Sequence, residues 1–264
     1  MVPEGDVLAR LARLLTRSLG DQLLVRSDLR WPGAAGADFT GQRSTGTVSY
    51  GKHLLTRFED GRTLHTHMRM DGVWRARRTR TPPEPLRQPM VRAVLATEQW
   101  TCVGQHLGML TVLRTRDEPR LLAHLGPNLM AEGEALGAAL DRAAENFAGQ
   151  HGRPVGAVLL DQTVAAGIGT IYLAETLWRH QVSPWRPAER VPDPRAVYAT
   201  AAALMRRSAD AYTLTATGSR ERTTYVHGRE GLACARCGQA IAVAAIGRPG
   251  MERPAFHCPA CQPD

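Results

Sequence analysis

Apolar and polar residues alternate along this chain with two different periods, and the period changes near the middle. Directly after Asp6, the residues Val7, Leu8, Leu11, Leu14, Leu15 and Leu19 recur at helical spacing, with Arg10, Arg13 and Arg17 between them. The pattern predicts an amphipathic helix with Asp6 as its N-cap, because a short carboxylate accepts from the orphan amides of a first turn. Short extended runs follow over 23–29, 45–50, 53–58, 63–68 and 73–76, then near 91–95, 100–103 and 109–113. Glu59-Asp60-Gly61-Arg62 reads as a hairpin turn between two of them. The first half is therefore expected to be a strand-rich sandwich behind one helix.

From 116 to 126 the chain is polar and proline-bearing, which predicts a linker, and beyond it the period becomes helical. Leu136, Ala139, Leu140, Ala143 and Phe147 mark one helix, 171–178 a second and 197–212 a third. Gly167-Ile168-Gly169 predicts a glycine turn into the second helix. Exposed amides at such a start attract anions, although most turns of this kind are only turns. The polar stretch 213–222 is expected to be a mobile loop. The organisation predicted is a strand-rich sandwich over 1–115, a helical domain over 126–225 and a small cysteine-bearing domain over 229–264.

With 264 residues, 43% hydrophobic and 22% charged, the composition is that of an ordinary globular protein with real cores. A net charge of +8 favours a polyanionic partner, since clustered cations release counterions from a phosphate backbone. The start is polar and acidic, without the basic-then-apolar design of a secretory signal. No apolar run approaches the roughly 20 residues of a membrane helix, so a cytoplasmic protein is expected. Of the 33 lysines and arginines, Lys52 alone is lysine. GC-rich coding explains the loss of lysine elsewhere but not this survivor. Unlike the permanently charged guanidinium, an ammonium gives up a proton, which makes Lys52 a candidate proton donor.

Cys234-x2-Cys237 and Cys258-x2-Cys261 have the spacing of a four-thiolate zinc site. Four sulfurs close a tetrahedron and leave no open position, which points to structural rather than catalytic Zn2+. Arg236, Arg248 and Arg253 lie on or beside this array and favour a nucleic-acid role for it. Cys102, in a strand-like run, reads as a small buried apolar residue.

Several motifs occur in order along the chain. They are Pro3-Glu4-Gly5-Asp6, Gly51-Lys52-His53, His67-Met68-Arg69-Met70-Asp71-Gly72 and Leu160-Asp161-Gln162. Ala166-Gly167-Ile168-Gly169-Thr170-Ile171-Tyr172, Gly228-Arg229-Glu230-Gly231 and Arg253, five residues before Cys258, complete the series. Together they resemble, nearly end to end, the bacterial formamidopyrimidine-DNA glycosylase and endonuclease VIII family of bifunctional DNA repair enzymes, on its endonuclease VIII-like side. The resemblance implies an α+β multidomain fold: an N-terminal β-sandwich with a leading helix, a helix-two-turn-helix domain and a C-terminal zinc ribbon. It also implies a monomer that binds double-stranded DNA with damaged bases or abasic sites in the cleft between its halves. In the family the nucleophile is the amine of an N-terminal proline, here Pro3. A terminal amine, with a pKa near about 8 against about 10.4 for lysine, has a useful neutral fraction at neutral pH. By the same resemblance Glu4 handles protons at the sugar, Lys52 assists β-elimination and contacts phosphate, and Arg253 clamps phosphate and assists δ-elimination. Met70 matches the side chain that fills the gap left by an everted base, and His67 and Thr170 match phosphate contacts.

Val2 departs from this pattern. If only Met1 is removed, valine is exposed and Pro3 becomes an internal amide without a nucleophilic lone pair. Three readings stand: Val2 is the true initiator from a GTG start, Val2 is itself the nucleophile, or the extension leaves the enzyme inactive. The first is preferred. Thr170 replaces a usual asparagine, and Val7 a usual second carboxylate. Gln105-His106-Leu107 lies where the arginine-phenylalanine pair of the 8-oxoguanine enzymes is expected. The expected activity is a DNA glycosylase and abasic-site lyase preferring oxidised pyrimidines. The alternatives are an impaired zinc-ribbon DNA-binding relative and a glycosylase for bulky or cross-linked lesions.

Overall fold

A computed structural model describes residues 3–80 and 86–263, and the chain divides into two compact units, 1–123 and 124–264. Val2, the alternative nucleophile, lies outside the described residues. The first unit opens with helix α1 (Gly5–Leu19). Its N-cap is Glu4 rather than Asp6. The extended backbone of Glu4 already accepts the amide of Leu8, so Asp6 falls inside the first turn, where the helix dipole favours its carboxylate.

Eight strands follow: β1 (Arg26–Leu29), β2 (Ser44–Tyr50), β3 (His53–Phe58), β4 (Arg62–His67), β5 (Val73–Arg78), β6 (Val91–Ala96), β7 (Trp100–Gln105) and β8 (Met109–Arg114). They form two antiparallel four-stranded sheets, β1-β6-β7-β5 and β2-β3-β4-β8. One core joins both sheets to α1: Leu8, Leu11 and Leu15 pack with Leu54, Phe58 and Leu64 of one sheet and with Trp74, Leu95 and Cys102 of the other. Each such side chain contributes about 1.5–3 kcal/mol when fully buried. Cys102 is fully buried, and burial pushes its thiol up to about 12, as befits a packing residue.

The stretch expected to be a plain linker contains a short helix, α2 (Glu118–Leu122). Five residues are too few to show a helical period, yet α2 returns Glu118 to the sheet. The carboxylate accepts from Arg57 Nε and Nη2 at 3.0 and 2.7 Å and from the Thr63 hydroxyl at 2.6 Å.

The second unit contains α3 (Glu134–Ala148), α4 (Val155–Leu160), α5 (Thr170–His180), α6 (Pro194–Asp210) and a hairpin of β9 (Ala242–Ile246) and β10 (Arg253–His257). Asp193 caps α6 by accepting the Ala196 amide at 2.9 Å, with Pro194 in the first turn. Leu140, Phe147, Leu173, Leu177, Tyr198 and Met205 share one core with Ile241, Ile246 and Ala255 of the hairpin. Helix α4 lies flush on that hairpin, since a Cβ at Gly156 would stand 2.6 Å from Ile246 Cδ1. The 213–222 stretch has no helix or strand, but hydroxyls knit it: Thr215 Oγ1 donates to Ser219 O at 2.9 Å and accepts the Gly218 amide at 3.0 Å.

Candidate functional site

In the first unit, three of the expected site residues gather at one end of the β2-β3-β4-β8 sheet. Tyr50 pairs with His53 around a tight turn that carries Gly51 and Lys52, and His53 pairs with His67 at the end of β4. Gly51 has a positive φ of 53°, which a two-residue turn of this kind needs and glycine supplies without steric penalty. The next turn, 68–72, closes with the Gly72 amide donating to Met68 O at 3.0 Å. A Cβ on Gly72 would stand 2.4 Å from that oxygen. The two methionines of this turn part company: Met68 is buried in the core, whereas Met70 at the tip is 54% exposed.

His67 is oriented by the same turn. The Arg69 amide donates to its Nδ1 at 3.0 Å, so the neutral ring carries its proton on Nε2. Burial, followed by the charges of Lys52 and Arg69, holds His67 below the usual imidazole range. The ring is therefore a neutral N–H donor beside an ammonium, a pair suited to a phosphate. Arg69 has a positive φ of 52°, and its side chain covers Gly108, where a Cβ would lie 2.3 Å from Arg69 Cγ. Glu4 is 1% exposed at the N-cap of α1, directly after buried Pro3.

In the second unit, Gly169 caps α5 and Thr170 is its first residue. Gln162 braces the turn before it: its Oε1 accepts the Gly167 amide at 3.0 Å, and its Nε2 donates to Leu160 O and Ile168 O at 2.9 Å each. Thr170 Oγ1 lies 3.4 Å from His227 Nε2, and burial lowers His227 to about 4. The sulfur atoms of Cys234, Cys237, Cys258 and Cys261 all lie within 4.8 Å of one another, with 4.0 Å between Cys234 and Cys261 and 3.4 Å between Cys237 and Cys258. A tetrahedral ion bound at about 2.3 Å separates its sulfurs by about 3.8 Å, so the cluster fits one metal ion. Burial opposes ionisation of Cys234, but the Arg236 amide and the Trp178 indole N–H outweigh it and bring the thiol to about 6. Arg253 opens β10 on the exposed side of the hairpin.

Residues 2–117 match the model of the formamidopyrimidine-DNA glycosylase N-terminal domain, and residues 126–218 match that family's H2TH domain. A protein called probable endonuclease 8 2 of Streptomyces coelicolor is 39% identical, over 99% of this chain and 94% of that one. The chain belongs to the formamidopyrimidine-DNA glycosylase and endonuclease VIII family. A second relative in it, the DNA-(apurinic or apyrimidinic site) lyase Nei2 of Mycolicibacterium smegmatis, is 33% identical over 99% of both chains. Among solved structures, the MutM protein of Thermus thermophilus superposes with a TM-score of 0.76 at 28% identity, covering 98% of each chain. The Lactococcus lactis glycosylase, solved on DNA with an abasic site, shares the fold with a TM-score of 0.82 at 19% identity, over 99% of this chain and 100% of that one.

Within this family member, a buried carboxylate besides Glu118 escaped the sequence reading. Glu175 is 0% exposed, and its Oε1 accepts three consecutive amides, from Tyr225, Val226 and His227, at 2.8, 2.8 and 3.2 Å. Its Oε2 meets Arg179 at 3.2 Å, and Arg179 reaches on to Ala216 O at 3.1 Å. At i,i+4 spacing, Glu175 and Arg179 look like a solvated helix pair, and nothing local reveals that this side of α5 is buried. Trp178, also missed, stacks on Tyr225 at 4.7 Å while Arg236 covers its ring at 4.4 Å. Its indole bond to Cys234 ties α5 to the cysteine cluster.

Proposed function

We propose that this chain is a base excision repair enzyme, a bifunctional DNA glycosylase and abasic-site lyase that acts as a monomer on double-stranded DNA carrying oxidised bases, pyrimidines above all. The observation that carries this reading is the gathering of Lys52, His67 and exposed Met70 on adjoining turns at one end of a sheet. It supplies a proton donor, a neutral phosphate donor and an apolar wedge together. Helix α1 packs chiefly on β2, with Thr16 Oγ1 accepting the Thr47 amide at 2.9 Å. From that contact, Glu4 lies about 18 Å back along the helix, and the end of the strand at Tyr50 lies about 10 Å on, with Lys52 in the turn beyond it. The contacts Thr16–Thr47 and Gly20–Ser44 run in opposite chain directions, which favours a position for Pro3 and Glu4 toward the Lys52 end of the unit.

The chemistry follows from these groups. The terminal amine of Pro3 attacks C1′, and the glycosidic electron pair leaves with the damaged base, which takes up a proton. Glu4 handles protons at the sugar as the ring opens and the iminium forms. Loss of a proton from C2′ then drives the electron pair toward C3′, whose C–O bond breaks and releases phosphate. Lys52 protonates or screens that leaving group, while His67 and Thr170 hold neighbouring phosphates. Arg253 clamps phosphate and supports the second elimination, in which the C4′ proton is lost and the C5′–O bond breaks. Met70 fills the space the everted base vacates. The four cysteines would hold Zn2+, which would brace the two Cys-x2-Cys turns of the hairpin as a structural ion.

Borohydride reduction on abasic-site DNA tests this directly. A form starting at Pro3 should yield a covalent adduct that peptide mapping assigns to the terminus. An adduct from a Val2-start form alone makes valine the nucleophile. No adduct from either form reduces the chain to a DNA-binding relative without the chemistry.

A further inference from the structure

One face of the β2-β3-β4-β8 sheet carries, beside His67, a row of three side chains that the reaction above does not use: His53, His65 and Thr111. Register places His53 opposite His67 and His65 opposite Thr111, and the spacing of His65 and His67 puts both on one face. His53 Nδ1 and His65 Nε2 are 2.8 Å apart, and His65 Nδ1 lies 3.2 Å from the Thr111 hydroxyl. The His53 and His65 rings are nearly parallel at 18° with centroids 5.1 Å apart, a separation compatible with a bond through the ring edges, while His53 meets His67 edge-on with centroids 4.9 Å apart. The sequence Lys52-His53 sets the lysine next to this row.

Each contact fixes a proton count. One proton lies between the two imidazoles, and the Thr111 hydroxyl, donor or acceptor as needed, completes either tautomer. His65 is fully buried, and burial holds it near about 4, so it enters the bond neutral. The charged and titratable groups acting on the row are Lys52 from its turn, His67 and Arg69 from the end of β4, and Glu118 from α2. Two histidines are an expensive way to fill a sheet face, because a β-branched or aromatic residue packs there without buried nitrogens to satisfy. That expense falls against Lys52 and His67, and nowhere else on the sheet among the described residues.

We propose that His53 and His65 are positioning residues for strand cleavage: their shared hydrogen bond fixes the His53 ring, which holds the Lys52 turn and the His67 edge in place for the leaving phosphate. The inference rests on the glycosylase and lyase reading of the preceding section and adds no covalent step to it. A misplacement of about 1 Å at a reacting group lowers a rate by up to about a hundredfold, so losing the shared bond should be visible in turnover.

The test compares wild type with His65→Leu, His65→Gln and His53→Phe on a duplex containing one abasic site. His65→Leu and His53→Phe should slow strand cleavage on the order of tenfold in kcat with KM within about twofold. His65→Gln, whose amide reaches the position of Nε2, should recover most of the rate. Wild-type turnover in His65→Leu, no recovery in His65→Gln, or a change confined to KM would each overturn the proposal. Imidazole nitrogen NMR of the free protein gives a second readout that needs no activity. Nitrogen-nitrogen coupling across the His53 to His65 bond should be present in wild type and lost in His53→Phe, and its absence from wild type would overturn the pair. A wild type that shows the coupling but neither traps nor cleaves abasic DNA refutes the proposed function rather than the pair.

Discussion

Replacing Glu175 by alanine offers the sharpest test of how the second unit is held together. The substitution leaves three consecutive amides, those of Tyr225, Val226 and His227, without their acceptor and leaves Arg179 without its carboxylate. A hydrogen bond to a charged group contributes about 1.5–3 kcal/mol, and breaking a buried pair by removing one partner costs about 3–5 kcal/mol. These effects are not additive, so a local loss of about 4 kcal/mol is expected. At about 1.4 kcal/mol per factor of ten, this amounts to roughly a thousandfold loss of amide protection. Hydrogen exchange at 225–227 reads it directly, with amides in the β2-β3-β4-β8 sheet as the internal control. Glu175→Gln keeps one oxygen acceptor for the three amides but loses the charge and the acceptor for Arg179, so it should fall between wild type and Glu175→Ala. A change of less than tenfold at these amides in Glu175→Ala, or equal effects of Gln and Ala, would refute the assignment.

Three further outcomes are expected. Lys52→Arg should keep most DNA affinity while slowing strand cleavage by about a hundredfold or more, because a guanidinium holds phosphate but does not surrender a proton; single-turnover cleavage and a binding titration separate the two. Chelation should release one metal ion per chain and strip protection from β9 and β10, with loss of the Trp178 contact visible in fluorescence. His65, near about 4 when folded and about 6.5 when unfolded, contributes stability that is complete above about pH 6.5 and is lost as pH falls toward 4. The loss approaches about 3 kcal/mol, and urea midpoints of wild type against His65→Leu at pH 7 and 4.5 should diverge by most of it.

Long periodic segments were legible without a structure. The apolar stripe of α1 and the three longer helices announced themselves through a helical repeat, and the eight strands as short extended runs between turns. Segments shorter than two turns did not: α2 and α4 have five and six residues, and α4 is apolar on every side. Cys-x2-Cys pairs and the lone lysine were readable because rare residue types carry their own signal. Glu175 and Trp178 were unreadable for the opposite reason, since each is an ordinary helix residue until tertiary contact buries it. The cap of α1 shows the same limit on a smaller scale. Which carboxylate of Glu4 and Asp6 begins the helix depends on the backbone angles of Glu4, which composition does not encode.

The covering of Gly108 by Arg69 binds two separate loops into one unit of inheritance. A side chain at 108 would displace Arg69 at its first carbons, and with it the amide that sets the His67 tautomer. A lineage that acquires a bulkier residue at 108 must therefore shorten residue 69 in step, or relinquish control of the His67 imidazole. Substitutions at these two positions should occur together or not at all.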